Sequence, residues 1–190
     1  MSDHCCGNEI SPYDPEDLFS EEAVYIMECF RLLWQQHVYW TRMVIMGIVF
    51  ALPDLEASTA RLLRNPLDFA RVFRRFYGNK AATEFCDLLK DHLVIAGELV
   101  KAAKAGNQRA AAAFEKKWYA NADDIVCFLN RLNPCWTVEH MREMWYEHLA
   151  LTKEEAVAML NKKYANGVRI FNQIEKQALM MLKTFGITLF

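Results

Sequence analysis

The chain has 190 residues, 53% of them hydrophobic and 13% aromatic, enough for one sizeable core and too apolar for a disordered segment. Its 22 Lys and Arg against 24 Asp and Glu leave a net charge of −2, which argues against a nucleic-acid partner and against an anionic membrane surface. Six Cys with no Cys-x-x-Cys pair, and no secretory pattern at the start, point to the reducing cytoplasm.

Residues 1–19, with Pro12 and Pro15, read as an irregular N-terminal arm, and 20–190 as a single helical domain. His4-Cys5-Cys6 in that arm is an accidental metal catcher rather than a built site. Ser20 offers an N-cap, followed by the seam Ile26, Phe30, Leu33, His37, Trp40, Val44, Gly47 and Ala51. Those steps of four and three predict a long helix ending at Pro53. Its apolar run from Met43 to Leu52 is too short to span a bilayer. Asp54 is placed to cap a short helix through Leu63. Asn65-Pro66 with Asp68 then reads as a restart: a cap, Pro at the first helical position and an acid in the first turn. Gly78 ends that second short piece. Arg61, Arg64, Arg71, Arg74 and Arg75 make this region basic, which fits a solvated helix face better than an anion-binding one.

A helix from about Lys80 to Ala105 follows, with Phe85, Leu89, His92, Ala96, Leu99 and Ala103 on one face. Gly106 stops it, and Asn107 caps an antiparallel successor through Phe114, Trp118, Asn121, Ile125, Phe128 and Leu132. After Asn133-Pro134, Thr137 caps a helix carrying Met141, Trp145 and His148. Thr152 with Glu155 has the spacing of a capping box, so a bend or restart is expected there. The seam then continues through Leu160, Tyr164, Gly167, Phe171, Ile174, Ala178 and Met181 to about Thr184. Cys29, Cys86, Cys127 and Cys135 fall in or beside these apolar patterns and read as small buried hydrophobes. No alternating β-branched run occurs. The fold expected is an all-α, up-and-down bundle of four to five long helices, with two short helices inserted between the first and second.

One local setting recurs three times. His37, His92 and His148 each follow a polar residue, precede Val or Leu, and have a small residue four places on: Thr41, Ala96 and Thr152. Together with Asn121 they place polar groups at mid-helix on stripes that should face the core, where each needs a partner. Neutral imidazole ligates zinc, iron and copper, and three convergent rings would leave a coordination position open. Asn121, Thr41, Thr152, Tyr164 and Glu175 are the candidates for hydrogen bonds that orient such ligands. A haem with one axial His would also suit a pocket walled by Trp34, Trp40, Trp118 and Trp145. The Glu-x-x-His pairs of di-iron bundles are absent, and no two acids are placed for acid–base catalysis. The alternative is a layer that only specifies packing, in a non-catalytic structural or interaction protein. A homodimer stays open, with no face identified for it.

The stretches 34–42, 61–66, 76–78, 91–93, 98–107, 118–125 and 147–156 resemble a small family of bacterial helical proteins, mostly from Firmicutes. Its members often carry the label acetylglutamate kinase. That kinase is an α/β fold with a glycine-rich phosphate loop, and this chain has neither strands nor a glycine cluster to cradle phosphates, so the label does not fit the residues. The resemblance therefore implies an all-helical fold and carries no particular activity over to this chain. It covers all three histidines and Asn121, and departs where the family carries Asp and this chain has Asn172.

Overall fold

In a computed structural model, which describes residues 21–187, the chain is helical throughout apart from short turns, and no strand occurs among the described residues. The arm, the Ser20 cap and the His4-Cys5-Cys6 group lie outside them. The helices are α1 (Glu21–Phe50), α2 (Leu55–Leu62), α3 (Asn65–Lys104), α4 (Gln108–Leu132), α5 (Val138–Leu160) and α6 (Tyr164–Ile187). Gly78 divides α3 into 65–77 and 79–104: its φ of 76° and ψ of 178° form a conformation essentially closed to other residues. Five long and two short helical segments result, the short ones between the first and second long ones, as the periodicity predicts.

The turns reveal an order that the linear pattern hides. Ala51, Gly106 and Lys162 follow the ends of α1, α3 and α5 with φ of 54°, 72° and 60°. At each turn the next N–H reaches back five residues: Leu52 to the Gly47 carbonyl, Asn107 to Ala102, and Lys163 to Ala158. This left-handed cap closes the last orphan carbonyls of a helix and reverses the chain. The three caps stand 55 and 56 residues apart. The chain is thus three successive helical hairpins: α1 with α2 and 65–77, then 79–104 with α4, then α5 with α6. Within the first, the returning helix is interrupted at 63–64, where the others are continuous.

Each hairpin packs on the next, and α6 packs back on α1. Phe73 stacks on Phe85 at 4.2 Å between the first and second hairpins, and Tyr119 meets Tyr146 edge-on at 4.8 Å between the second and third. Tyr39 against Phe171 at 5.5 Å closes the ring. One continuous core runs through all three, from Ile26, Phe30 and Trp34 through Phe85 and Phe128 to Trp145, Ile174 and Met181. At about 1.5–3 kcal/mol for each fully buried large apolar side chain, this burial is the main term holding the hairpins together.

Four local readings need correction. Asp54 stands at the N-cap position of α2 but its side chain caps no backbone N–H, its carboxylate accepting the Ser58 hydroxyl at 3.1 Å instead. The Asn65 side chain caps nothing; it is buried and pairs across the hairpin. Thr152 and Glu155 form no capping box: α5 runs unbroken to Leu160, and the chain turns at 161–163 instead. There the helix has exhausted its apolar face and Lys162 takes the left-handed position. Of the four described cysteines only Cys86 is buried; Cys29 is half-buried, and Cys127 and Cys135 are exposed. No described helix is long and apolar enough to cross a membrane.

Candidate functional site: the histidine layer

His37, His92 and His148 are buried, with 1%, 1% and 2% of their surface exposed. Each sits on the first helix of its hairpin, with its Nδ1 against a carboxamide on the second. His37 meets Asn65 Oδ1 at 3.0 Å, His92 meets Asn121 Oδ1 at 3.0 Å, and His148 meets Gln177 Oε1 at 3.2 Å. The same carboxamides donate their N–H to the backbone carbonyl four residues before the histidine: Asn65 to Leu33 at 2.9 Å, Asn121 to Leu88 at 3.1 Å, and Gln177 to Met144 at 2.8 Å. Asn65, Asn121 and Gln177 recur every 56 residues. One bridge is therefore built three times.

The bridge fixes its own protons. A backbone carbonyl only accepts, so the amide nitrogen must face it and the amide oxygen must face the ring. That oxygen also only accepts, so each ring carries its proton on Nδ1 and keeps a lone pair on Nε2. At His92 the assignment is tested independently: Trp118 Nε1–H donates to Nε2 at 3.2 Å. A protonated His92 would set one N–H against another. Burial, the neighbouring rings of His148 and His37, and this geometry hold His92 well below the usual histidine range. Burial likewise lowers His37 to about 4 and His148 to about 3, against a small opposing pull from their amide partners. All three are neutral imidazoles at neutral pH.

Leu62 and Ile174 occupy the positions equivalent to Trp118, 56 residues to either side, and have no side-chain N–H to give. His37 and His148 lie beside each other with ring centroids 5.6 Å apart, and Trp34 packs edge-on against both. Trp145 fills the space between His92, at 5.3 Å, and His148, at 6.4 Å, with its Nε1–H buried and unpartnered. The layer is thus an adjacent pair, His37 and His148, with Trp145 packed against both His92 and His148, rather than three rings around one point. Among the described residues no group of three or more His, Cys, Asp or Glu could hold a metal ion.

No protein-family model, curated protein or solved structure matches the chain.

The other candidate residues are dispersed. Thr152 donates to the His148 carbonyl at 2.8 Å, whereas the equivalent Thr41 hydroxyl is buried without a partner. Tyr164 is half-exposed at the start of α6 against Phe50, thirteen residues from Gln177, or about 20 Å along a helix. Glu175 accepts the Tyr39 hydroxyl at the α1–α6 surface seam. Trp118 and Trp145 wall the layer as expected, but Trp40 is turned away, under the Arg61 guanidinium at 5.2 Å. The basic cluster is partly neutralised locally, with Arg71 on Asp68 and Arg75 on Glu22. One buried ion pair escaped the sequence reading: Arg42 holds Glu155, whose carboxyl burial pushes up to about 7 against that pull. Asn65 and Gln177 were also missed as histidine partners, although their 56-residue register with Asn121 was a readable signal.

Proposed function

We propose that the chain is a non-catalytic structural or interaction protein whose histidine layer specifies packing. One observation carries this reading. Every Nδ1 is engaged by a carboxamide that also ties down the carbonyl one turn earlier, so each bridge locks the longitudinal register of one helix against its partner. A shift by one residue would strand a ring N–H, an amide and a carbonyl together, each costing about 1–3 kcal/mol in a dry core. The same device placed in all three hairpins is what a scaffold needs to hold six helical rods in a single alignment.

The reading in which a transition metal or haem is bound keeps one specific support. An Nδ1–H held by an amide is the usual way to present Nε2 to a metal, and His37 and His148 are so held, side by side, without a tryptophan donor. Against it, His92 already spends its Nε2 on Trp118, and among the described residues no carboxylate or thiolate joins the pair. Elemental analysis and an absorption spectrum of untagged protein discriminate the two. The packing role predicts far less than one equivalent of zinc, iron or copper, no Soret band, and His92→Ala and His148→Ala variants that lose stability only. A near-stoichiometric metal or haem lost in His148→Ala would overturn it.

A further inference from the structure

The turn-proximal end of the bundle contains a cavity of about 450 Å³ whose walls follow the threefold repeat. Thr41, Ala96 and Thr152, each four residues after a layer histidine, all line it, and so do Ile45, Val100 and Ala156, one turn further. Equivalent residues from all three hairpins thus face one space, one turn beyond the histidine layer and open to solvent at a rim that includes Ala112. It exists because Ala96, Ala103, Ala111 and Ala156 are small where α1, α3, α4 and α5 converge. The size falls within the range of small-molecule sites, and the wall is mainly hydrocarbon.

The polar groups along it define what would fit. Glu115 and Lys153 are the charged residues of the lining, and they are paired with each other, which leaves no uncompensated charge for an ionic ligand. Trp118 also lines the cavity but gives its N–H to His92, and Thr152 gives its hydroxyl to the His148 carbonyl. Thr41 alone at this level has a buried hydroxyl without a partner. As it stands that oxygen is closed off from the cavity, but Thr has two χ1 rotamers open to it in a helix. A turn of the side chain would present the hydroxyl to a ligand and restore the missing hydrogen bond, while an apolar body would take up the contacts the empty wall lacks. An ion, by contrast, would have to be desolvated against neutral groups.

We propose that this cavity is a binding site for a small, uncharged, mainly hydrocarbon molecule bearing one hydroxyl, whose apolar part lies against Ile45, Leu99, Val100 and Ala156 and whose hydroxyl pairs with Thr41. The site does not depend on whether the histidine layer binds anything.

The test uses the full chain, with 1-hexanol as probe, and sodium hexanoate and hexylammonium as charged counterparts of the same length. Binding is read by calorimetry and by tryptophan emission, since Trp118 borders the cavity. Saturable one-to-one binding of hexanol is expected, with at least tenfold weaker binding of both ions. Thr41→Val should weaken hexanol roughly fivefold to tenfold, one hydrogen bond's worth, with the fold intact by circular dichroism. Ala111→Leu should abolish binding by filling the space. Should that variant fail to fold, Ala112→Phe at the exposed rim blocks entry without altering the core. Non-saturable uptake, equal binding of hexanoate, or hexanol affinity unchanged in Thr41→Val or in the blocked variant would overturn the proposal.

Discussion

Replacing Asn121 by alanine isolates what one bridge contributes. The carboxamide joins His92 Nδ1–H at 3.0 Å to the Leu88 carbonyl at 3.1 Å, so its removal strands two groups at once. His92 is 1% exposed and Asn121 7%, so water gains little access to replace the amide. At about 1–3 kcal/mol for each unsatisfied buried group, the loss is roughly 2–6 kcal/mol, a large part of the ~5–15 kcal/mol that holds a typical domain together. At about 2–4 °C per kcal/mol for a chain of this size, the midpoint should fall by roughly 5–20 °C. Urea unfolding followed by circular dichroism and tryptophan emission measures it, with Asn172→Ala as an exposed control on α6. In the double variant His92→Phe/Asn121→Leu the ring donor is gone as well, so the pair should be less destabilised than the sum of its single changes. A loss below about 1 kcal/mol for Asn121→Ala, or strict additivity in that cycle, would refute the bridge as a stabilising unit.

Acid should weaken the fold in a defined window. An unfolded histidine titrates near 6.5, whereas His37 and His148 titrate at about 4 and about 3 when folded, so below 6.5 the unfolded chain binds the extra protons. The stability they confer is complete above pH 6.5 and declines toward pH 4 at about 1.4 kcal/mol per pH unit for each ring, His92 acting in the same sense. Glu155, raised to about 7, works oppositely between 4.5 and 7 and offsets one of the three; urea midpoints at pH 7.5, 6 and 5 that fail to fall would contradict this. Arg42→Met removes the cation beside the buried Glu155 carboxyl, which then takes up a proton rather than stay charged. The loss should therefore be about 2 kcal/mol at pH 8.5 and far smaller at pH 6, and Arg42→Met/Glu155→Gln recovers it in thermal melts. Lys162→Gly relieves a left-handed residue at the last hairpin turn and should stabilise by about 1 kcal/mol, an effect absent when the exposed Lys163 is changed instead. Gly78→Ala meets no atom within 4 Å, so the roughly 1–3 kcal/mol it should cost is backbone strain alone, and melts that match the parent would disprove that origin.

How legible the molecule is in its sequence depends on the range of the signal. The five long helices could be read because apolar residues at steps of three and four mark a face whatever that face packs against. His92 and Asn121 were visible as partners in kind because both lie on such seams. Asn65 was masked by its neighbour: Asn-Pro is a strong local helix-start signal, and a side chain that looks like a cap is not sought in the core. Gln177 is long and polar, and Glu175, two residues before it, is the more obvious ligand type on that helix. Thr152 shows the same limit, since its spacing to Glu155 imitates a cap while its hydroxyl bonds back to the His148 carbonyl. Each misreading came from a window of a few residues, whereas the organising signal recurs at 55–56.

A bridge written in triplicate also has room to change. In the outer hairpins an indole stands one turn before the histidine, Trp34 and Trp145, and an aliphatic residue, Leu62 or Ile174, takes the position of Trp118. The middle hairpin has reversed the arrangement, with Leu89 before the histidine and the indole moved to the opposite helix as Trp118. The volume supplied is similar, but the middle ring alone thereby gains an indole donor at Nε2 beside its amide partner at Nδ1. Copies that began alike can diverge in this way, one taking over the anchoring while its siblings are released to acquire something new.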